Sequence, residues 1–485
     1  DDDWVFYLGV RRLLEDGVWE IPANATPSLA AHTLWGWLFS SGFGLSHGVL
    51  RVSTLVLAAV ALAALSSLSG EGKSRRPAPL GPSFLLLANP IFFLLSFTFM
   101  TDVPFLAWAL LALALYRKGL NPSRDGFLLL GALAAGAAVW TRQIGIFSAL
   151  AAAWCVRSGG RLSPRRAALI LGIPGVCLGL ACASRWSAWA ATAFLQEALW
   201  TQWSRPAWLL AELYYRWSSA LLYLALFTLP LALLQVRGLG VSIPRPVTAV
   251  TGLGVFLPAL LRRPSFPFFT GIIHDRGLGT LTLSEAPMKA AGPLGTPVWG
   301  ALLTAAAFIS IFLWLGRLRE LGAAFKRAEV RLLAFAALPQ FALLSLGPRL
   351  YDRYLLPLIP FALLWASRAA PENSPAPAGR GTGWGPALAL LFFSWSVLGT
   401  WDYLNWNSAK WEAGRRAPEF GIPRNELKNG WDWEGLFRSA PEGREELFSG
   451  KVSFSPFGAE GGAVLLAVPY WTPLSLSPGN VYLVR

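Results

Sequence analysis

FTFMTDVPFLA, residues 97–107, holds one carboxylate, Asp102, inside a long apolar run. From Leu80 to Tyr116 the chain runs 37 residues, and Asp102 is the only charged group in it. As a single helix this run would be about 55 Å long at about 1.5 Å per residue. A hydrocarbon layer is about 30 Å thick, so the run must fold back on itself. Pro104 suits the first turn of a helix, which predicts a helix starting just after Asp102 and puts Asp102 at the tip of a hairpin. A charge at the bilayer centre costs roughly 3 kcal/mol, and an acid there is a functional candidate by default. A hairpin tip avoids most of that cost. Gly126 to Val156 repeats the design, with Arg142 in VWTRQIGIF (139–147) as its one charge. Two consecutive hairpins thus present an acid and a base on one face.

Working outward, hydrophobic residues make up 54% of the 485 and charged residues 14%. Soluble domains carry about a quarter charged residues, so the expected fold is mainly α, a polytopic transmembrane helical bundle. Spans are expected near 47–69, 81–99, 103–117, 126–141, 143–157, 167–185, 214–236, 246–261, 296–315, 332–348, 354–368 and 386–403. That is twelve visible spans. The chain begins at Asp1 without a Met, which suggests a further upstream span and thirteen in the full chain. The net charge of +14 would suggest nucleic acid in a soluble protein. Here it fits the positive-inside bias, and no nucleic-acid partner is expected.

Alternate loops are short and basic: Lys73, Arg75 and Arg76, then Arg117, Lys118 and Arg124, then Arg157 to Arg166. The pattern continues at Arg237 and Arg245, at 317–331, and at Arg368 and Arg380. This side reads as cytoplasmic. The opposite side then carries 1–47, the Asp102 and Arg142 turns, 186–213, 262–295, 349–353 and 404–485. The three cysteines, Cys155, Cys177 and Cys182, sit in apolar segments, so buried thiols are expected and no disulfide framework.

Residues 1–403 read as the transmembrane domain, with 1–46 as its first outer loop. Phe6, Val10, Leu13 and Leu14 follow helical spacing, with Arg11, Arg12, Glu15 and Asp16 opposite. This predicts an amphipathic helix on the outer leaflet, stopped by Gly17. A second helix is expected over Pro27 to Phe43, carrying His32. Residues 404–485 mix charge, Gly and Pro with strand-like runs such as GAVLLAVPY and VYLVR. They predict a small α/β extracytoplasmic domain. Its tryptophans, Trp406, Trp411, Trp431, Trp433 and Trp471, suit a membrane interface or sugar stacking.

In order, DDDWVFYLGVRRLLEDG, GLSHGVLRVSTLVL, MTDVPFLAWALLALALY, WTRQIGIF and LYDRYLLPLIPFALL resemble the membrane glycosyltransferases of the C-type fold. More narrowly, they resemble the dolichyl-phosphate-mannose protein mannosyltransferase and aminoarabinose transferase superfamily (glycosyltransferase family 39 and relatives), over about residues 1–370. The resemblance implies an integral enzyme of the bacterial inner membrane. It would move a sugar, with inversion, from a polyprenyl-phosphate donor to a protein, lipid or glycan acceptor on the outer face. It also implies an acid in the first outer loop as base. The family has an Asp-Glu pair there and this chain has three aspartates. Spacing to Tyr7 favours Asp3, with Asp2 next.

Such a transfer needs a base for the acceptor proton and positive charge for the departing phosphate. Asp3 and Asp2 are candidates for the base, with helix capping as the alternative. Asp102 could orient the acceptor, pair with Arg142, cap its own helix, or join the first-loop acids on a divalent cation, Mg or Mn. Arg142, Arg353, Arg262 and Arg263 are the candidate phosphate ligands; plain interface arginines are the alternative. Arg51 lies just inside a span and needs a partner. His274 and Asp275 look like a dyad on a weak signal. The rival function is a transporter or lipid flippase, which would place charges in mid-span.

Overall fold

A computed structural model describes residues 3–19, 29–70, 80–189, 203–239, 244–263, 266–274, 277–280, 283, 296–347, 349–369, 384–437, 448–454, 463–474 and 476–485. Two helices, α1 (Asp3–Glu15) and α2 (Ala30–Phe43), precede the first long helix, α3 (His47–Ser69). Ser46 caps α3 by accepting the Val49 N–H at 3.1 Å. Helices then stand at every expected span position. They are α4 (Pro82–Leu87), α5 (Pro90–Ser96), α6 (Asp102–Gly119), α7 (Gly126–Val139), α8 (Ile146–Ser158) and α9 (Pro164–Trp189). Next come α10 (Pro206–Leu239), α11 (Pro246–Gly254), α12 (Leu257–Arg262), α13 (Thr296–Leu315), the short α14 (Leu318–Phe325), α15 (Ala328–Ser345), α16 (Leu358–Arg368) and α17 (Trp384–Arg416).

Among the described residues, six helices are long and apolar enough, by length and composition, to cross a membrane. Leu129, Leu130 and Leu133 on α7, and Leu390 and Leu391 on α17, are exposed. Apolar surface on this scale belongs against lipid. The chain is a polytopic helical membrane protein.

Two expected spans are broken. Residues 81–99 form two short helices, because Asn89 accepts the Ile91 and Phe92 N–H groups and Pro90 starts a new first turn. Residues 246–261 break ahead of Pro258, here without a side-chain cap. α1 also departs from expectation. Its Trp4, Val5, Phe6 and Val10 are buried in the main core, so its apolar face docks on protein instead of on the leaflet. Gly17 does stop it, at φ +65°.

The basic loops meet at one end of the bundle. Glu329 lies 3.8 Å from Arg117 and 3.4 Å from Arg368. Those two arginines also donate to carbonyls at the end of α3, Leu68 and Ser69.

The C-terminal region contains α18 (Trp431–Phe437) and a four-stranded sheet. The strands are β3 (Leu427–Lys428), β4 (Gly450–Ser453), β5 (Val464–Thr472) and β6 (Ser477–Val484), in the order β3-β4-β6-β5. β3 and β4 run parallel and the other pairs antiparallel. A separate hairpin, β1 (Ile273–His274) and β2 (Gly277–Leu278), lies in the 262–295 loop. The boundary expected at 404 falls inside α17, which runs on to Arg416. The packing changes further along that helix: Trp406 belongs to the main core, whereas Ala409 and Ala413 join Trp433, Val481 and Leu483 in a second one. Trp406 and Trp433 are therefore core residues; Trp431 and Trp471 are exposed.

Candidate active site

The turn quoted at the start, 97–102, is gripped from three sides. Asp3, at the first turn of α1, accepts the Phe99 N–H with Oδ2 at 3.1 Å. His32 on α2 holds the other main-chain group of the same residue, with Nε2 3.1 Å from the Phe99 carbonyl oxygen. A carbonyl only accepts, so His32 carries its proton on Nε2. Its ring stacks on Phe99 at 4.1 Å and meets Phe6 edge-on at 5.3 Å. Burial pushes this imidazole down to about 4, against the pull of the Phe99 bond and with help from the Arg142 charge. The third grip is Arg142, whose Nη1 donates to Asp102 Oδ1 at 2.9 Å and whose Nε donates to Thr101 Oγ1 at 3.1 Å.

Asp102 starts α6 yet does not cap it; its carboxylate turns to Arg142. It is 1% exposed, and Oδ2 has no hydrogen-bond partner among the described residues. The Arg142 guanidinium sits 5.5 Å over the Tyr354 ring, and Arg353 shares that ring from 5.6 Å. The two hairpin tips and the 351–354 turn therefore meet, as their shared face required.

Asp3 also forms part of a cavity of about 540 Å³ between α1, α3, α17 and α18. Trp4 on α1 and His47 and Arg51 on α3 line it, together with Asn407, Trp411 and Asp432 from α17 and α18. α1 is held in place by Tyr7, which stacks on His47 at 4.4 Å. α18 approaches so closely that a Cβ at Gly435 would overlap the Trp4 indole. Arg51 has no hydrogen bond or ion pair among the described residues, and its Nε is buried. The expected partner is absent, and the guanidinium faces the cavity instead.

Behind the wall, Lys410 Nζ contacts both oxygens of Asp432, at 2.6 and 2.7 Å. The Lys410 side chain is 0% exposed and that of Asp432 12%. Burial pushes the Asp432 carboxyl up, but the Lys410 ammonium wins and holds it below the usual carboxylate range. This pair was missed in the sequence, since its members stand 22 positions apart and share no pattern.

The remaining candidates lie elsewhere. Arg262 is bound to Glu212, which also accepts from Arg216 Nε at 2.8 Å, and it covers the Tyr215 ring at 4.4 Å. Its charge is thus committed. Arg263 caps the end of α12, exposed, and its carbonyl accepts the Phe266 N–H. Neither lines the cavity, and nor do Asp102, Arg142 and Arg353. Asp2 and Asp275 fall outside the described residues. Beside Arg353, Asp352 is fully buried and accepts the Ile272 and Ile273 N–H groups at 2.7 and 2.6 Å. Burial pushes its carboxyl up to about 7 despite those bonds. The anchored loop then packs on α17, where Gly279, at φ +101°, leaves room for the Tyr403 ring that lines the cavity. Among the described residues no group of three or more His, Cys, Asp or Glu could hold a metal ion.

No family model matches the chain, and no curated protein matches it. Among solved structures, the crystal structure of ArnT from Cupriavidus metallidurans in the apo state is similar, with a TM-score of 0.38 and 12% identity. The match covers 100% of this chain and 93% of that one. At that level no activity passes from one chain to the other.

Proposed function

We propose that the chain is an integral membrane glycosyltransferase that uses a polyprenyl-phosphate sugar and works in the cavity holding Asp3 and Arg51. The observation that carries this reading is the pairing of chemistries in one space: a carboxylate and an unpaired guanidinium line the same cavity. Asp3 takes the proton of the acceptor hydroxyl. The acceptor oxygen attacks the anomeric carbon from the face opposite the phosphate. The carbon–oxygen bond to phosphate breaks, and the leaving phosphate gains charge that Arg51 meets. Trp4 and Trp411 offer faces on which a sugar ring can stack, and Asn407 offers hydrogen bonds.

In this reading Asp102 and Arg142 hold the turn that holds Asp3, and contact with the reacting atoms is not required of them. The donor and acceptor reach the cavity from the bilayer and from the face opposite the basic loops, which is the outer face of an inner membrane. The cavity's second acid, Asp432, is held by Lys410, and the transfer described needs no divalent cation. A transporter or flippase would carry its charges in mid-span, whereas the charges of this cavity lie beside the first turns of α1 and α3.

The test is reconstitution of the full chain with a radiolabelled lipid extract. Transfer of label into a new bond is expected. Asp3→Asn should lower turnover about 10²- to 10⁴-fold, the worth of a general base, with insertion unchanged. Normal turnover in that variant would sink the assignment, and label that crosses the bilayer unchanged would support the flippase.

A further inference from the structure

A second cavity, of about 400 Å³, runs through the bundle between α10, α13, α14, α15 and α16. Trp217, Trp314, Phe361 and Trp365 line it. Its wall is mainly apolar, and two of its indole N–H groups are already engaged. Trp314 Nε1 donates to Thr228 Oγ1 at 3.1 Å, and Trp365 Nε1 donates to the Leu321 carbonyl at 2.8 Å. An occupant must therefore be apolar. Two of its lining residues, Leu221 and Leu318, are 42% and 52% exposed.

α14 closes the end of the cavity that belongs to the basic loops. Leu318, Leu321 and Phe325 form one stripe and line the space. Arg319 and Lys326 stand beside that stripe, exposed, seven residues apart and so on one face. Neither has a hydrogen-bond or ion-pair partner among the described residues. An apolar slot alone would take any hydrocarbon chain. Two exposed cations on the helix that closes the cavity, one next to Leu318 and one next to Phe325, favour a chain that ends in negative charge.

We propose that this cavity holds one acyl chain of an anionic diacyl phospholipid from the leaflet at the basic end, with its phosphate met by Arg319 and Lys326. The site is separate from the Asp3 cavity and does not rest on the transferase reading, since its test reads lipid contact and not turnover.

The full chain is reconstituted into phosphatidylcholine nanodiscs containing graded amounts of phosphatidylglycerol with brominated chains. Bromine quenches tryptophan on contact, and Trp217, Trp314 and Trp365 report. Brominated phosphatidylglycerol is expected to quench at a lower mole fraction than brominated phosphatidylcholine. The exposed double variant Arg319→Gln/Lys326→Gln should raise the half-quenching fraction roughly 30-fold, about tenfold for each 1.4 kcal/mol at about 1 kcal/mol per cation. High salt should act in the same direction. Ala362→Phe, which fills the slot, should abolish the preference, with unchanged thermal unfolding as the check on folding. Equal quenching by the two lipids would overturn the proposal, as would a preference indifferent to the double variant. Displacement by polyprenyl phosphate at a lower mole fraction than by unlabelled phosphatidylglycerol would also overturn it, giving the slot to a donor tail.

Discussion

Lys410→Met removes an ammonium from a fully enclosed position while keeping most of the side-chain volume. In the native protein Nζ sits 2.6 and 2.7 Å from the two oxygens of Asp432, with 0% of the lysine and 12% of the aspartate side chain exposed. Breaking a buried pair from one side costs about 3–5 kcal/mol, because the remaining charge is stranded. The double variant Lys410→Met/Asp432→Leu removes both charges and should recover most of that loss, giving a coupling of at least about 2 kcal/mol. The assay is urea unfolding in detergent, followed by the fluorescence of the buried Trp433 in the second core.

The pH dependence supplies an internal check. Native Asp432 lies below its unfolded range, so its stabilisation is present above the unfolded value and is lost as pH falls. In Lys410→Met the two pulls of Lys410 are gone and burial, the largest effect on Asp432, outweighs the remaining backbone hydrogen bond, so the folded state binds the extra proton and stability rises as pH falls. The slope in the acidic range should therefore change sign between the two proteins. Additivity of the single variants within about 0.5 kcal/mol, or an unchanged slope, would refute the assignment of Lys410 as the charge that makes Asp432 tolerable.

Arg51→Gln should lower transfer about 10²- to 10³-fold by removing one stabiliser of the leaving phosphate; retention of full activity with added lipid-linked sugar would count against the role. Asp102→Asn strands Arg142 and loosens the 97–102 turn, so turnover should fall while the protein still inserts; wild-type turnover would free Asp102 from any part. His32 drops from 6.5 to about 4 on folding. It should therefore cost the folded state about 3 kcal/mol as pH falls from 6.5 through 4, at about 1.36 kcal/mol per pH unit. The stability is intact above 6.5, and a His32→Gln protein with the same acid sensitivity would place the loss elsewhere.

Much of the bundle was legible because burial in lipid leaves a coarse signal. The unbroken run from Leu80 to Tyr116 demanded a hairpin, and Asp102 and Arg142 could share a face only if both hairpins turned at the same end. Their ion pair at 2.9 Å follows from that placement. The break at Asn89–Pro90 was also written in the chain, as a cap residue followed by a first-turn proline, but hydropathy alone hides it. Other features left no trace. Asp3 and His32 both act on the main chain of Phe99, and main-chain groups are identical at every residue. Lys410 looks like any surface lysine until α18 folds over it. Arg51 was visible as a charge inside a span, but its partner was sought in another side chain when the guanidinium faces an open cavity.

These differences bear on what the buried charges do. A charge that has found its complement inside the protein is spent on structure: Arg262 on Glu212, Lys410 on Asp432, Arg142 on Asp102. Each was chemically suited to a phosphate or a base, and each is unavailable while its partner stays. A residue left uncompensated at a cavity wall keeps its field for a ligand. By that criterion Arg51 ranks above every arginine chosen from position alone. The same logic joins the two halves of the site. Asp3 is held by Phe99, Phe99 by His32, and the turn around it by Arg142. The paired charges therefore serve the cavity by fixing one backbone segment, and damage to Asp102 should reach the chemistry through the position of Asp3.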